Sequence, residues 1–276
     1  MNPYISLLDE TYNSDYSETY LLCLYKNNDF LAYCIIDSVR KKYIAIRAFL
    51  TADKYFEDQV NEDKFLKLKY KKTFVVYHSP LALLFPSSVA TNETSEKIFS
   101  FTFDESPDNH LLLNSSVNDN INCVFRIPEN EKSFFASFNE TRILHPYSIL
   151  IQNSLKLSRS SVYLACELFK NGIILCAAKG GDLLYCNYFN CQSPADFAYL
   201  VTGLYKNLNL SCDEIPLNYS GITQKKDERL EEISRFIKRT NPRNCQSDYL
   251  FSYRFNEIQS HNFSILFDAH NEDNQR

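Results

Sequence analysis

Few side chains in this sequence stand where catalysis or ligand binding is commonly done. His78 and His145 each end a β-like run shortly before a proline. Two imidazoles so placed can share a metal or a proton. The plainer alternative is a pair of strand-end histidines bonded to backbone carbonyls. Glu167 is a lone carboxylate in an apolar run. Metal-assisted phosphodiester cleavage needs several carboxylates around two ions, so Glu167 is read as the solvated face of a strand or a hydrogen-bonding group between domains. Cys186 and Cys191 are the most closely spaced cysteines, but neither has a cation nearby in sequence to draw out a thiolate. No GxSxG, Walker, HExxH or CxxC pattern occurs. The expectation is therefore no catalytic residue and no metal site.

Composition narrows the classes further. The 276 residues carry 29 Lys and Arg against 34 Asp and Glu, a net charge of -5, which removes the electrostatic case for a general nucleic-acid or anionic-membrane binder. Only 5 glycines occur, so a function built on glycine-rich phosphate loops starts at a disadvantage. No apolar run approaches a membrane span. Nine cysteines, several of them inside apolar runs, read as reduced buried thiols, and the expected compartment is the cytoplasm. The dense basic run Lys64–Lys72 mixes lysines with aromatics as single-strand nucleic-acid grooves do. It reads more simply as the last turn of a helix, where lysines favour the macrodipole.

The elements that must position these residues come in two sets. Tyr-Leu-Leu-Cys-Leu-Tyr-Lys-Asn at 20–27 recurs as Tyr-Leu-Ala-Cys-Glu-Leu-Phe-Lys-Asn at 163–171, an offset of 143 (163 minus 20), about half the chain. Each copy turns and is followed by two further β-like runs. The turns are Asn28-Asp29 and Ser38 to Lys41 in the first half, Asn171-Gly172 and Gly180-Gly181-Asp182 in the second. Asn-Gly suits a hairpin because both residues tolerate positive φ. Each half therefore opens with a three-stranded β-meander. Helical periodicity follows over 53–68 and 194–208, with Ser193 as N-cap and Pro194 at the first helical position. Strands are expected at 73–77, 121–127 and 215–219. A β-like run is expected at 249–255, and helices at 128–138, 227–239 and 257–269. The stretch 80–107 reads as an irregular insertion.

Two such halves describe tandem ribonuclease-H-like domains, 1–157 and 158–276, in an α/β (α+β) architecture. The run 21–36, Phe74-Val-Val-Tyr-His78-Ser-Pro80 with Phe85-Pro86, Ile143-Leu-His145-Pro146, and Asn187 through Tyr199 together resemble an uncharacterised bacterial family. The resemblance covers about 19–269 and implies an actin-like ATPase fold with no established activity. An actin-like ATPase needs a Mg²⁺-positioning Asp and phosphate-facing glycines at the first hairpin of each half. Neither Tyr25-Lys26-Asn27-Asn28-Asp29-Phe30 nor Phe169-Lys170-Asn171-Gly172-Ile173 supplies both. No cofactor is expected; were a nucleotide to bind, Asn27, Asn28, Lys170, Asn171, Gly172 and Gly221 are the candidates. The resulting reading is a non-catalytic actin-like module, a pseudo-enzyme that binds another protein. The alternatives are a nucleotide- or sugar-binding ATPase or kinase with a divergent site and, third, a nucleic-acid-binding protein. Leu81, Leu83, Leu84, Phe85, Ile98, Phe99, Phe101 and Phe103 give the insertion more apolar side chains than a solvated loop needs, as a partner-binding surface would have.

Overall fold

A computed structural model describes residues 3–103, 110–224 and 226–271. In chain order the elements are β1 (Ile5–Leu8), β2 (Tyr20–Lys26), β3 (Phe30–Asp37), β4 (Lys42–Leu50), α1 (Phe56–Glu62), β5 (Lys72–Tyr77), β6 (Ala82–Pro86), α2 (Asn92–Thr102), β7 (His110–Ser116), β8 (Ile121–Pro128), α3 (Glu129–Ala136) and β9 (Thr141–Leu144). After α4 (Pro146–Leu157) come β10 (Val162–Phe169), β11 (Gly172–Lys179), β12 (Asp182–Asn190), α5 (Pro194–Asn207), β13 (Leu217–Ser220), α6 (Glu228–Ser234), β14 (Thr240–Pro242), β15 (Leu250–Phe251) and α7 (Ser264–Asp268). The architecture is α/β. The chain forms two compact units: the first holds the residues up to Ser148, Ser247–Ile258 and those from Leu266 on, and the second holds Ile149–Gln246 and Gln259–Ile265.

Each unit is built on the same sheet. In the first the core order is β4-β3-β2-β5-β9, and in the second it is β12-β11-β10-β13-β14. The meander strands are antiparallel, while β5 and β9 run parallel to β2 as β13 and β14 run parallel to β10. The likeness extends to a defect. The β3–β4 register slips between Ile35 and Ile36, passing over Ile44, and the β11–β12 register slips between Ala177 and Ala178, passing over Leu184. Both bulges lie at the same distance from the end of the middle strand. Bulges are positional features rather than accidents, so this shared one supports duplication more strongly than the shared Tyr-Leu-x-Cys does. Tyr20 and Tyr163, and Cys23 and Cys166, stand in the equivalent strands β2 and β10 of separate sheets.

Several elements differ from expectation, each for a local reason. Helix α1 stops at Glu62 rather than 68, because the Asp63 carboxylate accepts the Phe65 amide (2.8 Å), the Tyr33 hydroxyl and Arg47 Nη1, and so turns the chain. The lysine run is therefore not a helix terminus. Lys64, Lys67, Lys69 and Lys71 are exposed on a turn whose Phe65, Leu66 and Tyr70 are buried. The insertion is not irregular: β6, α2, β7 and β8 build a small three-stranded sheet in the order β6-β8-β7 with a helix beside it. Pro80 and Pro86 bracket strand β6 rather than preventing it, while 104–107 lie outside the described residues. Helix α6 ends at Ser234 because the chain must turn to enter β14, yet Leu230, Ile233 and Ile237 still face the core as one stripe. The run 249–255 supplies only the two residues of β15. A 3-10 turn over Tyr253–Glu257 follows it, and the stretch 257–269 is built of a second 3-10 turn, Ser260–Phe263, and the short α7 instead of one helix. β15 also pairs with β4, in the sheet of the first unit, so the second half of the chain does not keep all of 158–276 to itself.

Helix α5 is the element whose signals were plainest. Ser193 and Asp196 form a reciprocal capping box, with Pro194 at the first position, as the Ser-Pro-Ala-Asp sequence predicts.

Candidate functional site

In sheets of this kind, ligands are met at the carboxyl ends of the parallel strands. In the first unit those ends are Lys26-Asn27 after β2, His78-Ser79 after β5 and His145 after β9. Asn27 is buried and its side chain is committed: Oδ1 accepts the amides of Asp29 (2.8 Å) and Phe30 (2.9 Å). Lys26 Nζ pairs with Glu131 at 3.1 Å and lies over the Phe56 ring. Asn28 is exposed, and its carbonyl accepts the Thr51 hydroxyl. The hairpin turn is thus closed by its own side chain, with the Asp29 and Phe30 amides taken by Asn27.

The two histidines do meet, with ring centroids 5.9 Å apart. His145 is fully buried; it accepts the Tyr147 amide at Nδ1 and, with the proton then on Nε2, donates to the Ser79 carbonyl at 3.0 Å. Burial holds its pKa down at about 3. Burial, and secondarily His145, hold His78 well below the ordinary imidazole range as well. Both rings are neutral side chains of the buried interior. Among the described residues no cluster of three or more metal-ligating side chains forms around them.

In the second unit the ends of β10, β13 and β14 carry a buried polar network. Glu167 is 1% exposed, which corrects its reading as a solvated strand face. Its carboxylate accepts the hydroxyl of Ser220. Arg243, just past β14 and also 1% exposed, donates from Nε to Ser220 Oγ (3.1 Å) and from Nη2 to Ser264 Oγ (2.7 Å). Nearby, Thr223 Oγ1 lies 3.0 Å from His261 Nε2 and bonds Asn262 Oδ1. A buried carboxylate and guanidinium joined through hydroxyls satisfy one another where water cannot, and the network ties three strand ends together.

The second hairpin turns through Lys170-Asn171. Neither these residues nor Gly172 has positive φ, which corrects the left-handed turn expected of Asn-Gly. A Cβ on Gly172 would stand 2.4 Å from the Tyr188 hydroxyl, so the tyrosine side chain lies across the glycine and would have to swing aside for any other residue. Left-handed glycines occur instead at Gly180-Gly181, the turn between β11 and β12. Arg229 anchors the hairpin base, donating from Nη1 to the Phe169 carbonyl (2.7 Å) while held by Asp227. Gly221, at φ 101°, presses on the Leu168 backbone, leaving 2.2 Å between a built Cβ and the Leu168 oxygen. The six nucleotide candidates thus split between the two units, and Asn27 and Gly221 each have a demonstrable structural task.

Arg243 and the Asp227–Arg229 pair were not singled out from sequence. The spacing Asp-x-Arg before an apolar stripe is a readable N-cap signal. Arg243 has no such local mark, since its partners Ser220 and Ser264 are 23 and 21 residues away. Burial pushes the thiols of Cys123 and Cys166 upward and that of Cys191 to about 11, which keeps these three from forming a thiolate.

Residues 9–240 match the family described as Protein of unknown function (DUF3822). The chain belongs to that family. No curated protein matches the sequence. Among solved structures, the family member is similar to a Bacteroides thetaiotaomicron protein with an actin-like ATPase fold and unknown function. The two are 19% identical, 85% of this chain and 94% of that one are covered, and the TM-score is 0.74. It is also similar to a chain of the PilM-PilN type IV pilus biogenesis complex, at 11% identity, 92% and 98% coverage and a TM-score of 0.57. The DUF3822 chain therefore has the actin-like ATPase fold that its motifs implied.

Proposed function

We propose that this chain is a non-catalytic actin-like module that works in the cytoplasm by binding another protein. The observation that carries the reading is the state of the first hairpin, where Asn27 caps the Asp29 and Phe30 amides from within. In the second unit the Tyr188 side chain lies across Gly172 at the hairpin base. Preorganised donors aimed at a phosphate are what such a fold uses for nucleotide chemistry, and in the first hairpin the Asp29 and Phe30 amides are taken by Asn27 instead.

A surface for a partner is offered by α2. Most apolar side chains of the insertion pack on their own small sheet: Phe85, Phe99 and Val124 form its core, with Leu81, Leu83 and Phe103 against them. Ile98 and Phe101, one turn apart, do not, and Phe101 is 93% exposed. A bare phenylalanine on a helix face is the kind of anchor that interfaces use. The PilM-PilN neighbour is itself a protein complex, which is consistent with protein binding by this fold.

The test is a melting curve with and without millimolar Mg-ATP. A ligand at about 100 times its Kd stabilises by about 2.7 kcal/mol; no shift is expected. A saturable shift lost on changing Lys170 or Asn171 would put a divergent nucleotide- or sugar-binding site first. For the surface, Phe101→Asp should abolish capture of a partner without lowering the melting temperature.

A further inference from the structure

Strand β12 is the end of the second sheet, and among the described residues no strand pairs with its outer side. Against it lies an open groove of about 750 Å³, lined by Tyr185 and Phe189 of β12 and by Tyr199, Leu200 and Gly203 of α5. The Tyr185 and Phe189 rings are 7° from parallel, and Tyr199 is 78% exposed.

Gly203 is the detail that the unit itself does not require. It sits inside α5, where glycine weakens a helix relative to alanine. It has no left-handed φ, and a Cβ built on it meets nothing within 4 Å. Neither a turn nor a close approach within the unit calls for glycine, and its effect is to leave the groove floor bare.

The first unit shows what covers such an edge. Strand β4, the third of its meander and the equivalent of β12, is capped by β1 running antiparallel from Ile5 opposite Ala48 to Leu8 opposite Ala45. The capping segment reads Ile-Ser-Leu-Leu and ends at Asp9, whose carboxylate pairs with Lys42 at 2.8 Å. The groove beside β12 has matching chemistry, an apolar lining in which Lys206 is the charged member.

We propose that the α5–β12 groove accepts an extended segment of another protein, which adds antiparallel to β12, seats an apolar side chain over Gly203 and places a carboxylate beside Lys206. Backbone pairing would supply affinity and the groove would select alternate side chains. This surface is separate from α2 and stands or falls without it.

The probe is a fluorescein-labelled synthetic peptide with the sequence of residues 4–10, titrated into the full chain by fluorescence anisotropy. Saturable binding is expected, weakened by about tenfold or more in Gly203→Phe, and likewise when proline replaces the peptide's central leucine and removes a ladder amide. Tyr199→Asp, on an exposed position, gives a second reading should Gly203→Phe fold poorly. Absence of saturable binding overturns the proposal. So does binding that neither variant changes, since the peptide would then be exchanging with β1 on β4. A dimer in sedimentation that Gly203→Phe dissociates overturns it too, because a second copy would then be the occupant.

Discussion

The two units share strand order, strand directions and a bulge in the same place, and they differ at the outer edge of the meander. In the first unit β4 is covered by β1 along 45–48 and by β15 at Lys42 and Tyr43. In the second, β12 ends the sheet. The comparison teaches that the interior of this fold is constrained twice over, whereas the outer edge of the meander is where the two copies diverge. A strand edge is normally a liability that a protein covers or charges; among the described residues two strands cover β4 and none covers the outer side of β12.

The largest expected effect tests the covered edge. Tyr43 is fully buried, stacked on Phe251 at 4.7 Å and donating its hydroxyl to the Phe267 carbonyl at 2.6 Å. Tyr43→Ala should cost about 3–5 kcal/mol in urea denaturation. Leu184→Ala, at the bulge of the uncovered edge where the side chain is 44% exposed, should stay within about 0.5 kcal/mol. Equal losses at the two sites would mean that β12 is covered in solution.

Next come the glycines of the second unit, whose tasks are opposite. Gly221→Ala places a methyl against the Leu168 backbone at positive φ and should destabilise by about 2–3 kcal/mol. Measured by the same denaturation, a neutral result would show that β10 and β13 can separate slightly without penalty.

A third difference is in acid. His145 of the first unit is neutral when folded, with its pKa held near 3 by burial, against 6.5 ordinarily. Below pH 6.5 the unfolded chain takes up a proton that the folded chain refuses. Stability therefore falls as pH drops from about 6.5 toward 3, by about 1.4 kcal/mol per pH unit for such a group, and this histidine contributes no pH dependence above that window. His78 acts in the same direction. Denaturant midpoints between pH 4.5 and 7.5 should show the slope in the parent and a shallower one in His145→Gln; identical slopes would remove the histidine from the account.

The smallest effect has the other sign. Gly203→Ala should stabilise α5 by about 0.5–1 kcal/mol, since a helical glycine is replaced where there is room. A fall in melting temperature would show that the groove is already filled in the isolated protein.

Much of this fold was legible in sequence wherever local chemistry and tertiary structure agree. The meanders, the Ser193–Asp196 cap and the Leu230, Ile233, Ile237 stripe carry their signals within a few residues. What was hidden is long-range. β1 is four residues and β15 two, too short to show periodicity, and both become strands only because β4 offers an edge. Helix α1 was overextended because Asp63 looks like one more helical acid until its carboxylate is seen taking the Phe65 amide. At the candidate site the hairpin positions and the histidine pair could be named from sequence. The Glu167–Ser220–Arg243 network could not, because it joins residues from strands far apart in the chain.

The pairing of β15 with β4 also has a consequence for biosynthesis. Leu250 lies opposite Lys42, a separation of 208 residues (250 minus 42). At about 5–20 residues per second, the first part of β4 emerges roughly 10 to 40 s before its cover exists. The second unit's sheet needs nothing made so late: its last strand, β14, ends at Pro242. A released chain truncated after residue 249 should therefore be cut at Lys42 more readily than the full chain, even though all five strands of the second sheet are present in it; Gln259–Ile265 and the residues from Leu266 on then complete the two units almost together.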